Sequence, residues 1–117
     1  VENNLRALAE ASFSRLALGE LERLGYKVLD YKRNVMIGER KIGLTAYTVR
    51  GNEEYTIVLE VKSKPDHADA AKLVGVADMV AGSGLARGRI VPALAGVLVG
   101  SDVEAYARKL GVLVLKL

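Results

Sequence analysis

The 117-residue chain has no cysteine, no tryptophan and no glutamine, and His67 is its single histidine. Without cysteine there is neither a disulfide nor a thiolate metal site. One histidine excludes a zinc centre built on histidines. No Ser-His-Asp or Cys-His set is assembled from such a composition. Aromatics are scarce, five tyrosines and one phenylalanine, so no base-stacking platform is expected. No apolar run approaches the roughly 20 residues that span a bilayer. No charged, apolar, small-residue leader reads as a secretion signal, so no membrane partner is expected and the cytoplasm is the expected location. Few thermolabile residues beside abundant Arg, Lys and Glu suggest a thermophilic, archaeal source.

What is present is a chain that is 50% apolar, enough for one compact domain over residues 1–117. The net charge of +3 suits a polyanion, although so small an excess is also ordinary surface charge. Residues 3–24 read as a helix. At about 100° per residue, Leu5, Ala9, Phe13, Leu16, Ala17 and Leu24 share one face, with Glu20 near its middle. Gly25 is the expected helix stop. Tyr26–Tyr31 reads as a strand that the "NVMIG" stretch extends or follows. Lys41–Val49 alternates, with Ile42, Leu44 and Ala46 pointing one way and Lys41, Gly43, Thr45 and Tyr47 the other. "RGNEE" is a turn, and Tyr55–Ser63 is the partner strand of a hairpin. Pro65-Asp66 opens a helix to about Ala81, with His67 exposed in its first turn. Gly82–Arg89 reads as a mobile basic connector, because it lacks the Lys-Ser/Thr ending of a phosphate loop and follows a helix. Leu94–Gly100 has the continuous apolar character of a strand covered on both faces. Ser101–Glu104 reads as a capping box, and Val112–Leu117 as a last strand at a sheet edge. The order αβββαβαβ implies an α/β fold, on the border of α+β, with a mixed sheet flanked by helices.

Within the hairpin, "LEVK" places Glu60 and Lys62 on one strand face. Phosphodiester hydrolysis needs an activated water and charge stabilisation. A divalent ion on carboxylate oxygens supplies both, and a lysine can meet the developing charge. Glu60 is the candidate ligand and Lys62 the candidate catalytic cation. A Glu and a Lys two apart on a strand are also an ordinary surface ion pair. The paired strand offers Lys41, Gly43, Thr45 and Tyr47 on the matching face, and none is a carboxylate. Lys27, Lys32, Arg33, Arg40 and Lys41 form a basic run, and Arg87 and Arg89 add charge in the glycine-rich loop. These are candidate phosphate contacts or a solvated face.

The succession of "LERLGYKVL", "KIGLTAY", "LEVKSK" and the closing "VLVGSDVEAYARKLGVLVLKL" resembles the PD-(D/E)XK nuclease-like superfamily over nearly the whole chain. It looks closest to the small archaeal and bacterial resolvase-like and RecB-like nuclease domains. The resemblance implies a restriction-endonuclease-like fold, with Glu60 and Lys62 as the acid and lysine of its (D/E)-x-K element. It also expects an aspartate where Gly43 stands and a glutamate near Ser14. Glu20, Glu39 and Asp30 are the candidate migrated acids, and Glu20, in the same helix, is the better one. Glu39 lies four residues from Gly43, roughly 13 Å along an extended strand, too far to replace it. Three readings follow. One is a nucleic-acid-associated nuclease fold with impaired or lost hydrolysis. Its partner is DNA, with RNA as the alternative, and its contacts are Lys41, Lys64, Arg87 and Arg89. Another is an active endonuclease using Mg²⁺ or Mn²⁺ on Glu60, with Lys62 and Glu20. The third is an interaction subunit, with homodimerisation through the last strand.

Overall fold

The computed structural model describes residues 2–117, together with their side chains except at positions 2–4, 6 and 10. The elements are α1 (Glu2–Arg23), β1 (Lys27–Ile37), β2 (Arg40–Arg50), β3 (Glu53–Lys62), α2 (His67–Ser83), β4 (Arg89–Gly96), α3 (Ser101–Lys109) and β5 (Leu113–Lys116). They follow the expected order. The five strands form one sheet in sequence order. β1–β2–β3 is an antiparallel meander, and β3, β4 and β5 run parallel. The two hairpins turn on Gly38-Glu39 and Gly51-Asn52, where each glycine takes the positive φ that a two-residue loop requires. The parallel strands need crossovers, which α2 and α3 supply.

Strand alternation divides the core between the two faces. Ile57, Leu59, Ala93, Ala95 and Leu115 pack with Ala17 and Leu21 of α1. Val58, Leu94 and Val114 pack with Leu73, Val76 and Val80 of α2 and with Val103 and Ala107 of α3. β4 is thus covered on both sides, but it spans Arg89–Gly96 and not the expected Leu94–Gly100, because its pairing with β3 ends at Lys62–Gly96 and Val97 and Leu98 beyond it are exposed. β5 forms one edge of the sheet, where it was expected, and β1 forms the other.

Two local expectations need correction, the inward face of α1 and the cap of α3. The inward face of α1 runs through Ser14, Ala17 and Leu21, while Leu5 and Leu16 are exposed. Of the two readings of the "NVMIG" stretch, extension holds, since β1 runs on to Ile37. The Ser101–Glu104 capping box does not form. Gly100 is the N-cap, without a side-chain cap, and Glu104 instead pairs with Arg108 at 2.9 Å and Lys116 at 2.7 Å. The box that does form belongs to α2. Asp66 accepts the Asp69 N–H and Asp69 accepts the Asp66 N–H, each at 2.9 Å.

β2 does not keep one alternation along its length. Leu44 and Ala46 face α1, but Ile42 joins the α2-side cluster. The strand turns over at Gly43. Opposite Gly43 on β1 is Asn34, with the left-handed φ of 57° that asparagine tolerates better than most residues. On its other side the β2–β3 pairing ends at Leu44–Leu59, one rung before Gly43 and Glu60. The sheet therefore opens where β2 leaves β3.

Candidate functional site

The opening is a cleft of about 370 Å³ lined from both sides of the sheet. Ala7 and Ser14 enter from α1, Arg33 and Asn34 from β1, Lys41 and Gly43 from β2, Glu60 and Val61 from β3, and Lys72 from α2. Glu60 is half-buried. Burial pushes its carboxyl above the usual glutamate range, Lys62 and Lys72 partly offset that, and Asp69 reinforces it. Glu60 is the only acid among the described residues of the lining, against three cations.

Lys62 does not line the cleft. Its Nζ lies 2.6 Å from Asp69 Oδ1, and the Asp69 carboxylate is buried. That hydrogen bond holds the Lys62 ammonium above the usual lysine range, against the opposing effect of burial. Burial works to raise Asp69, but the Lys62 hydrogen bond and the Asp66 backbone N–H prevail and hold it low. Both directions favour the charged pair. The capping box clamps the remaining Asp69 oxygen, so the lysine is tied to the first turn of α2. Lys72, three residues beyond Asp69, is the α2 cation that lines the cleft.

Ser14, Gly43 and Glu60, the three positions to which the resemblance assigns acids, thus line one cleft. Glu20 is outside it, bridged to Arg23 at 2.9 Å. It stands six residues from Ser14, about 9 Å along the helix and about 120° around it. Lys41 is in the cleft, while Lys64 is exposed beyond the end of β3. Arg87 and Arg89 are not near it. Arg89 is level with Tyr55, five residues before Glu60 on β3, about 16 Å away along the strand. Arg87 stacks on the Tyr47 ring at 4.9 Å, and Arg89 lies 4.0 Å from Glu53. The glycine-rich connector carrying them is fastened rather than loose. Thr56 Oγ1 donates to the Arg87 carbonyl and accepts its N–H, and the Tyr47 hydroxyl donates to the Leu85 carbonyl. His67 is exposed against Tyr106 and 3.6 Å from Asp102.

This residue set does not fit a divalent ion. Hard cations need several oxygen donors, carboxylates foremost. The described residues of the lining supply one carboxylate, and Arg33, Lys41 and Lys72 oppose a second positive charge beside it. Among the described residues no group of three or more Asp, Glu, His or Cys is placed to hold a metal. Two residues that matter here were not singled out from sequence, Asp69 and Lys72. The Asp66-x-x-Asp69 spacing before an apolar helix is itself a capping signature that could have flagged the first.

No protein-family model and no curated protein matches the sequence. Solved structures do match. A repair endonuclease from Pyrococcus abyssi aligns with 92% of this chain and 46% of its own, at TM-score 0.65 and 16% identity. EndoMS in complex with double-stranded DNA aligns over 92% of this chain and 44% of its own, at TM-score 0.67 and 19% identity. The chain spans less than half the length of either. It shares the fold of these endonucleases, a mixed five-stranded sheet flanked by helices, as the order of its elements implied.

Proposed function

We propose that this chain is a nucleic-acid-binding, nuclease-fold protein whose metal-dependent hydrolysis is impaired or lost. One observation carries the reading. The cleft gathers Ser14, Gly43 and Glu60, and only Glu60 is an acid. A nuclease needs its ion at the scissile phosphate, and the one carboxylate among the described residues of the lining, set beside three cations, holds Mg²⁺ or Mn²⁺ weakly. Binding does not need the ion, because phosphate contacts by Lys and Arg supply most of the affinity for nucleic acid. The double-stranded DNA in the EndoMS complex supports DNA as the class of partner. A cytoplasmic location goes with that partner.

Fluorescence anisotropy with labelled duplex, single-stranded and four-way-junction DNA tests the binding half. Incubation of the same DNAs with Mg²⁺ or Mn²⁺ tests the hydrolytic half. The expected result is salt-sensitive binding without cleavage. Metal-dependent cleavage that disappears in Glu60→Ala would overturn the loss of hydrolysis. Failure to bind any of these DNAs at low salt would overturn the nucleic-acid reading.

A further inference from the structure

We propose that the cleft seats a phosphodiester directly on Arg33, Lys41 and Lys72, with no divalent ion between protein and phosphate. The proposal deepens the reading above and rests on it for the class of polymer.

The three cations come from three elements, β1, β2 and α2, and converge on one concavity of about 370 Å³. None of them makes an ion pair among the described residues, whereas Lys62, Arg23, Arg89, Arg108 and Lys116 all do. Unpaired cations grouped in a concave site make a standing anion site, because low-dielectric walls concentrate their field. The charge of the described lining is three positive against one negative, opposite to what a cation site requires.

Lys62 and Lys72 have divided roles. Asp69 neutralises Lys62 and holds it at the head of α2. Lys72 enters the cleft beside Glu60 and lowers the cost of its charge. Gly43 leaves the floor open. A Cβ there would meet nothing closer than the Leu59 carbonyl at 3.8 Å. The space that an aspartate and its metal would occupy is left for the phosphate itself.

The sign of one substitution separates this site from a metal-bridged one. If phosphate sits directly on the cations, Glu60 repels it, and Glu60→Gln tightens binding. If an ion bridges them, Glu60 is its ligand, and Glu60→Gln weakens binding. The experiment titrates a fluorescein-labelled DNA duplex and the matching RNA duplex with the protein in EDTA, over a range of salt. Expected results are undiminished binding in EDTA, tighter binding by Glu60→Gln, and a log K against log salt slope that falls by about 0.9 for each of Arg33→Gln, Lys41→Gln and Lys72→Gln. Lys109→Gln, which removes the same charge from α3 outside the cleft, leaves the slope within error. The DNA and RNA arms tell which polymer supplies the phosphate.

Inorganic phosphate, followed by amide shifts in EDTA, tests the cleft apart from any polymer. Shifts at Gly43 and Lys72 without binding of either duplex would keep the phosphate site and sink the nucleic-acid reading. Duplex binding that ignores all three cation variants would do the reverse. Loss of binding in EDTA, or weaker binding by Glu60→Gln, would overturn the direct contact.

Discussion

Gly43→Asp should give this fold a metal site. The backbone accepts the change. Gly43 does not have a positive φ, and a Cβ there lies at ordinary van der Waals distance from its nearest neighbour, 3.8 Å from the Leu59 carbonyl oxygen. Replacing a strand glycine recovers about 0.5–1 kcal/mol of backbone entropy. The poor strand propensity of aspartate takes back a similar amount, on a scale spanning about 1 kcal/mol. The melting temperature should therefore move by less than about 4 °C. The new carboxylate stands across the open rung from Glu60, and two like charges there push the Glu60 carboxyl further up in the absence of metal. Binding Mn²⁺ relieves that repulsion, so the variant should be stabilised by Mn²⁺ where the wild type is not. Polarisation of a phosphoryl oxygen by a bound ion contributes several kcal/mol. At about 1.4 kcal/mol per tenfold, 3–4 kcal/mol is a gain of about 10²–10³ in rate. Plasmid nicking with Mg²⁺ or Mn²⁺ measures it, with Gly43→Asp beside wild type and beside Gly43→Asp combined with Glu60→Ala. Nicking should appear in the single variant and vanish in the double. Equal nicking by wild type and Gly43→Asp, or a folded Gly43→Asp with no gain in Mn²⁺ affinity, refutes the reasoning. Ser14 is the harder position to restore, because it is buried and a glutamate there would have to be desolvated.

Gly88→Ala should destabilise the fold by at least about 3 kcal/mol in urea unfolding. Its Cβ would sit 2.0 Å from the Glu54 carbonyl oxygen at a φ of 70°, where the left-handed backbone alone costs about 1–2 kcal/mol. An unchanged urea midpoint would show that β4 can leave β3 there without loss. Asp69→Ala should cost about 1–2 kcal/mol, from one half of the α2 cap and an ion pair to a half-exposed lysine. Asp69 is held low, so the advantage of wild type over Asp69→Ala is present above the unfolded aspartate value and lost as pH falls through the lower folded one. A difference between the two proteins that does not shrink as pH falls below the unfolded aspartate value would contradict that origin. Glu60→Gln should raise the melting temperature at pH 8. Glu60 is raised by burial, so its stabilising contribution is present below the unfolded glutamate value and lost as pH rises through the folded one. A lower melting temperature for Glu60→Gln at pH 8 would mean that the ionised carboxylate stabilises the site.

The order of elements was legible because each depends on local chemistry. Gly25 closes α1, Gly38 and Gly51 turn the hairpins, and the β3 alternation puts Ile57 and Leu59 on one face and Val58 on the other. The face of α1 was not legible. Its leucines occur all around the helix, and the sheet selects among them by contact with Ser14, Ala17 and Leu21. The turnover of β2 at Gly43 was also hidden, because a period-two pattern assumes a strand that keeps its face. Glu60 and Lys62 were found by spacing, but the partner of Lys62 lies seven residues away across a loop and at the head of the next helix. Arg87 and Arg89 read as free charge because their partners, the Tyr47 ring and Glu53, lie on other strands.

Serine and glycine at positions 14 and 43, and cations that make no ion pair among the described residues, are linked through the electrostatics of the cleft. Three carboxylates crowded at the opening between β2 and β3 would repel one another unless a cation held them, so a site of that kind ties its stability to metal. Serine at 14 and glycine at 43 remove that repulsion, and the two apolar clusters that hold the sheet to its helices do not involve either residue. Among the described residues of the cleft, Arg33, Lys41 and Lys72 have only Glu60 to answer them, and Glu60 is itself resisted by burial. On the proposed reading the cleft keeps its shape and prefers an anion to a cation. Lys62 is the residue that would otherwise add to the excess, and the buried Asp69 withdraws it. On the same reading, a phosphate would supply the balancing charge without further change in the fold.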